Sequence, residues 1–223
     1  MAATTAFGAG DVRRRRPPGT APIVRGFVLG TILLDLAILT YGVITSSDGL
    51  RDAGWGLAAW VVVVAAVGAA SLPFESGQAL GLDMPVLLSV GYLFGPVVAG
   101  ATAFVAYVDA RELRGEIPLV RALFNRAQTS LSVMAATAVF SVVVSGGDGW
   151  PIAVVAAFLA VGTDCLVNYG TVVAVLCLHE RITPWDGLSR LYFGSLPEFA
   201  LTYASFGLLS LMLAEIYKSV GAW

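Results

Sequence analysis

Residues 26–45 form an apolar stretch interrupted by a single charge, Asp35. Its length is that of a helix crossing the hydrocarbon core of a bilayer. Further apolar runs follow at 55–72, 86–108, 123–144, 151–178 and 191–217, joined by short polar connections. Inside lipid the backbone finds no outside hydrogen-bond partner, so only helices or a closed barrel can cross. The two-residue alternation of barrel strands is absent. An all-α, polytopic transmembrane bundle of six to seven helical segments is therefore expected. Charge content agrees. Asp, Glu, Lys and Arg make up 13% of the chain and mean hydropathy is +0.82, against about 25% charged residues in soluble domains.

The ionisable residues that remain exclude several kinds of chemistry. Cys165 and Cys177 lie in one apolar run, about 18 Å apart along a helix, too far for a disulfide. The only histidine is His179 and there is no CxxC motif, so no zinc site is expected. His179, Glu180 and Arg181 fall at a helix end, where His and Arg suit the dipole. No nucleophile–base pair, phosphate loop or metal-ligand spacing is present, and neither enzymatic activity nor a cofactor is expected. Basic residues are few and confined to loops, so nucleic acid is not an expected partner. Trp55, Trp150 and Trp185 stand at run ends, as interfacial anchors do.

Residues 1–22 read as a disordered, basic cytoplasmic tail and residues 23–223 as the helical membrane domain. Arg13 to Arg16 precede the first run and favour a cytoplasmic N-terminus. A signal peptide is the rival reading. The run at 26–45 exceeds an ordinary signal-peptide core and no A-x-A site follows, which favours a signal anchor.

The run at 86–108 carries Gly95-Pro96 near its middle, and two readings stay open. One Pro-kinked helix would cross once. The Arg13–Arg16 tail would then oppose Arg111, Arg114 and Arg121, and Arg181 and Arg190 would also fall on the wrong face. That breaks the positive-inside rule in two short loops. A hairpin turning at Gly95-Pro96 places all three basic segments on the cytoplasmic side. Pro96 supplies a local reason, since it removes a helical hydrogen bond and clashes with the preceding turn. Each arm would be about 18–20 Å long, short of the roughly 30 Å core. Such arms must be tilted, partly re-entrant or shielded by neighbouring helices.

The ordered set Gly95, Pro96, an Arg-rich DARELRGEIPLVR loop, Phe124, Asn125 and Gln128 resembles the N-terminal membrane domain found ahead of HD-GYP and related cyclic-di-nucleotide signalling domains in bacteria. The closing YASFGLLSLMLAEIYKSVGAW is similar to that family's late segment. The resemblance implies a sensory, ligand-binding domain in the bacterial inner membrane that signals to a cytoplasmic output domain. No HD, GYP or GGDEF motif occurs in the chain. The topology leaves Trp223 outside, and the GAW ending reads as a truncation or as a protein that has shed its output half. The Gly-Pro hairpin also resembles, more loosely, the substrate-binding S components of energy-coupling-factor vitamin transporters, which implies a membrane partner subunit. A structural assembly protein is the third expectation. The bilayer and a small-molecule ligand are the other expected partners.

Polar side chains in the apolar runs are expensive and need a partner or a role. Asp35 lies mid-run, one turn after Thr31. Asn125, Gln128, Thr129 and Ser132 recur at spacings of three and four and share one helix face, as do Asp164 and Asn168. Glu198 follows Pro197 at a depth where a carboxylate is costly. Arg126 is close enough to the basic end to snorkel, or to pair with one of these acids. The expected ligand-binding residues are Asp35, Asn125, Arg126, Gln128, Asp164, Asn168 and Glu198. The alternative is that the same groups hold helices together by hydrogen bonds.

Overall fold

The computed structural model describes residues 20–45, 54–69, 72–73, 79–80, 83–108, 112, 114–147, 149–191 and 196–220. The described residues form eight helices: α1 (Thr20–Thr45), α2 (Gly54–Ala69), α3 (Asp83–Phe94), α4 (Pro96–Ala106), α5 (Leu119–Ser145), α6 (Trp150–Glu180), α7 (Pro184–Arg190) and α8 (Leu196–Ser219). A two-residue antiparallel ladder pairs Leu72–Pro73 with Ala79–Leu80. Four helices are long and apolar enough to cross a membrane: α1, α5, α6 and α8. The bundle is the expected all-α architecture, with one helix more than the upper expectation.

That extra helix is α7, inside HERITPWDGLSR, which the apolar pattern leaves as loop. Thr183 caps it. Its hydroxyl accepts from the Asp186 amide at 3.2 Å, and the Asp186 carboxylate accepts from the Thr183 amide at 3.4 Å. This reciprocal arrangement satisfies amides a helix start leaves free, and Pro184 suits the first position, where no amide is needed. The last span starts at Leu196 rather than 191, because Pro197 is tolerated only in a first helical turn. The first helix starts at Thr20, three residues inside the expected tail. Residues 1–19 of that tail lie outside the described residues, as do Arg51 and Arg111.

The run at 86–108 is a hairpin. Gly95 holds φ at +88°, a conformation open to glycine and strained for other residues, and Pro96 opens α4. Asp83, at the start of α3, stands within electrostatic reach of Asp164, whose partner is Ser132 of α5. Gly100 of α4 packs on Ser130 and Met134 of the same helix. Asp83 and Gly100 thus share a level on α5, although seventeen residues of continuous helix would part them by about 25 Å. One apolar cluster joins Val86, Leu87 and Val90 of α3 to Val98, Ala99, Ala103 and Ala106 of α4, with Trp60 and Val64 of α2 and Val133 of α5.

α5 is the central helix, packed against α1, α3, α4 and α6. Small residues bring neighbours close. A Cβ on Gly91 would collide with the side chain of Thr137. The second apolar cluster unites α3, α5, α6 and α8 through Met84, Leu88, Ala136, Phe140, Ala157, Ala160, Phe206 and Leu211. Tyr92 stacks on Phe140 with ring centroids 3.7 Å apart. Between α3 and α8, the Ser89 hydroxyl donates to the Ser210 carbonyl at 3.0 Å.

These contacts define two ends. Gly56 and Trp60 of α2, Phe94 beside the turn, and Tyr217 of α8 meet at one end, while Gly68 meets Val108 at the other. Arg25, Arg114, Arg121, Arg126, Arg181 and Arg190 all lie at the end of the bundle where α1 begins and α4 and α6 finish. Lys218 is the described cation at the opposite end. Large apolar side chains face outward along the spans, including Leu33, Leu34, Leu159, Leu166 and Leu201, as a lipid-facing surface requires. Trp55 and Trp150 are exposed at one end and Trp185 at the other.

Candidate functional site

A polar seam runs between α5 and α6. The two helices are antiparallel, joined by a short connection, and residues four apart on each share one face. Gln128 therefore meets Asn168, and Ser132 meets Asp164. The Gln128 amide donates to the Asn168 carbonyl at 3.0 Å and to its side-chain oxygen at 2.5 Å. The Ser132 hydroxyl donates to one oxygen of Asp164. Asp164 is 2% exposed and falls near the midpoint of α6, as Ser132 does of α5.

Two further elements close on Asp164. The first turn of α3 brings Asp83, itself buried, within electrostatic reach. Its carboxylate faces the amides of that turn, its own and that of Met84, where a helix start favours negative charge. Tyr92 adds a buried hydroxyl with no hydrogen-bond partner among the described residues. On the α8 side, Tyr203 donates to the Tyr169 hydroxyl at 2.9 Å, and both phenols lie within reach of Asp164. The result is two carboxyl groups in an apolar, aromatic-walled layer where α3, α5, α6 and α8 meet. No Lys or Arg pairs with either among the described residues. Such a layer can bind a ligand carrying hydrogen-bond donors or positive charge. No group of three or more His, Cys, Asp or Glu suited to a metal occurs among the described residues.

The residues expected to line one pocket are divided by the structure. Gln128, Asp164 and Asn168 belong to the seam. Asn125 is half-buried on α5, one turn nearer the basic end. Arg126 reaches neither Asp35 nor Asp164. It pairs with Glu112, which precedes α5 in the chain, at 2.6 Å. Glu198 is not deep in a span. It is exposed in the first turn of α8, a position that Pro197 fixes by setting the helix start. Asp35 is fully buried against a different face of α5, beside Ser130. Gly95 and Pro96 form the turn itself.

Sequence reasoning missed Asp83, Tyr92, Tyr169 and Tyr203. Asp83 reads as part of a polar connection, and only the hairpin carries it back to mid-depth. The aromatic residues read as ordinary span composition. Comparison of the chain with protein-family models, with curated proteins and with solved structures gives no match.

Proposed function

We propose that the chain is a non-catalytic membrane module that binds a small polar ligand in the layer around Asp164, and that ligand occupancy is transmitted through the final helices to a cytoplasmic output domain. The observation that carries this reading is the convergence of Asp83 and Asp164 at mid-depth without a described cation. Burying two carboxyl groups without a counter-charge costs a bundle stability, which favours a role beyond packing. The hairpin turn, the Arg-rich loop and the Phe124-Asn125 start of α5 fit a sensory domain of the cyclic-di-nucleotide signalling type. On this reading the basic end faces the cytoplasm of a bacterial inner membrane.

The test is a thermal-unfolding survey of the purified chain against a panel of small polar metabolites in detergent. The sensory reading requires a stabilising compound whose effect disappears in Asp164→Asn while the ligand-free melting temperature is retained. Loss of stability in Asp164→Asn with no compound active on the wild type would support a structural bundle instead. A second reading, a transporter subunit of the S-component type, is favoured by the short α3–α4 hairpin. It requires copurification with an energising ATPase module. The mass of the native gene's product separates the two. A product tens of kilodaltons above 23.2 kDa fits the sensor, and one near that mass fits the subunit.

A further inference from the structure

Asp35 lies near the midpoint of α1 and is 0% exposed, and among the described residues neither of its carboxyl oxygens meets a hydrogen-bond partner at ordinary geometry. Ser130 of α5 stands beside it, also 0% exposed, and its hydroxyl is likewise unpartnered. The serine hydroxyl stands close enough to favour the carboxylate without completing a hydrogen bond of ordinary geometry. Ser130 and Ser132 are two residues apart, about 200° around the helix, so this pair and the Asp164 seam occupy opposite sides of α5. Leaving a buried polar atom unpaired is costly, and more so when it is charged. Two buried polar groups that stay incompletely satisfied side by side in a membrane interior therefore point to a third party.

The protein does not supply that party among its described residues. Thr31, one turn earlier, donates to its own helix at Phe27. The helices packed on α1 are α4, α5 and α6. α4 carries no ionisable side chain. On α5, Arg126 shares the Ser130 face one turn away, but Glu112 holds it. On α6, Asp164 is bonded to Ser132, across the bundle. Toward the basic end, Ile32, Phe124 and Ala127 pack with Phe104 and Val175 in an apolar cluster, and both polar groups are closed to bulk solvent.

We propose that Asp35 and Ser130 form a binding site for one small monovalent cation, a proton or an alkali-metal ion. A carboxylate supplies the compensating charge and the hydroxyl a further oxygen, and the apolar closure restricts entry to a small guest. This site is independent of the ligand layer at Asp164, so either proposal can fail alone.

The experiment uses the full chain in detergent. Thermal unfolding is measured in sodium, potassium and choline chloride at equal ionic strength, for wild type and Asp35→Asn. Infrared spectra of both proteins are compared for the carbonyl band of a protonated carboxyl group. A melting shift with sodium or potassium over choline, lost in Asp35→Asn, identifies an alkali-metal site. A protonated-carboxyl band missing from Asp35→Asn, without ion dependence, identifies the proton as the guest. Absence of both overturns the proposal. So does strong energetic coupling between Asp35→Asn and Arg126→Gln, which would make Arg126 the counter-ion. Should Asp35→Asn fail to fold, Ser130→Ala serves in its place, with a weakened ion response or a displaced carboxyl band expected.

Discussion

At the scale of single residues, the polar groups of the seam act through matched spacing. Gln128 with Ser132, and Asp164 with Asn168, are two i, i+4 pairs on antiparallel helices, so both cross-links form in one register. Interhelical hydrogen bonds in membranes contribute only about 0.6 kcal/mol on average and about 1.7 at most. Ser132→Ala is accordingly expected to destabilise the protein by about that range, read as a small shift in an unfolding titration. A loss far above it would mean that Ser132 orients Asp164 for more than packing. Gly91→Leu should cost more, about 1–3 kcal/mol, because overpacking must displace Thr137. Near-wild-type stability for Gly91→Leu would refute the close α3–α5 contact. Each of these polar faces was legible in the sequence, since helical periodicity alone places i and i+4 together. Which faces meet was not legible. Ser130 lies within a run of small and polar residues, and nothing local singles it out as the neighbour of Asp35.

At the scale of elements, two short pieces depend on punctuation rather than on apolar pattern. The α3–α4 turn was foreseeable from Gly95-Pro96 together with the placement of arginines, two unrelated signals that agree. Neither alone decides it, since proline also kinks single spans. Gly95→Ala forces a side chain into positive φ and should cost about 1–2 kcal/mol, more than an alanine costs elsewhere in a helix. Equal stability would mean that the turn can relax to negative φ. The other piece, α7, was hidden because seven residues are too few for a periodic signal. Its start was nonetheless written in Thr183-Pro184-Trp185-Asp186. Thr183→Ala removes the cap, worth about 1 kcal/mol. The loss should appear as faster amide exchange across residues 184–190, with little change in global melting, since α7 packs on the end of α6 alone among the major contacts. The Glu198 misreading has the same origin. Pro197 marks the first turn of α8, so Glu198 stands at the start of the span rather than deep within it.

At the scale of the whole molecule, the hairpin decides the order in which the chain visits its two ends. α1 ends beside the Gly95 turn, since Gly42 packs on Val97. α2 returns, α3 rises from mid-depth to the turn, α4 descends, α5 rises, α6 descends and α8 rises. The end of α4, the start of α5 and the end of α6 therefore share an end with the start of α1, and Ser145 and Trp150 share the other with Ser219. A single kinked crossing would alter this sequence, because α3 would then enter from the face opposite α4's exit and α2 would not contact both arms. Cysteines placed at Glu116 and Ser189 should react from one side of a sealed vesicle with a membrane-impermeant maleimide. Cysteines at Ser145 and Ser219 should react from the other side. Cys165 and Cys177 are half-buried within α6, so replacing both with serine provides the background against which these labels are read. A cysteine at Gly95 decides the matter, since the hairpin requires it to label with Ser145 and Ser219. Labelling of Gly95 with Glu116, or from neither side at mid-depth of one continuous helix, would contradict the fold. If Glu116 and Ser189 prove cytoplasmic in cells, the six clustered arginines follow the positive-inside rule, and α8 then delivers its C-terminal end to the opposite face.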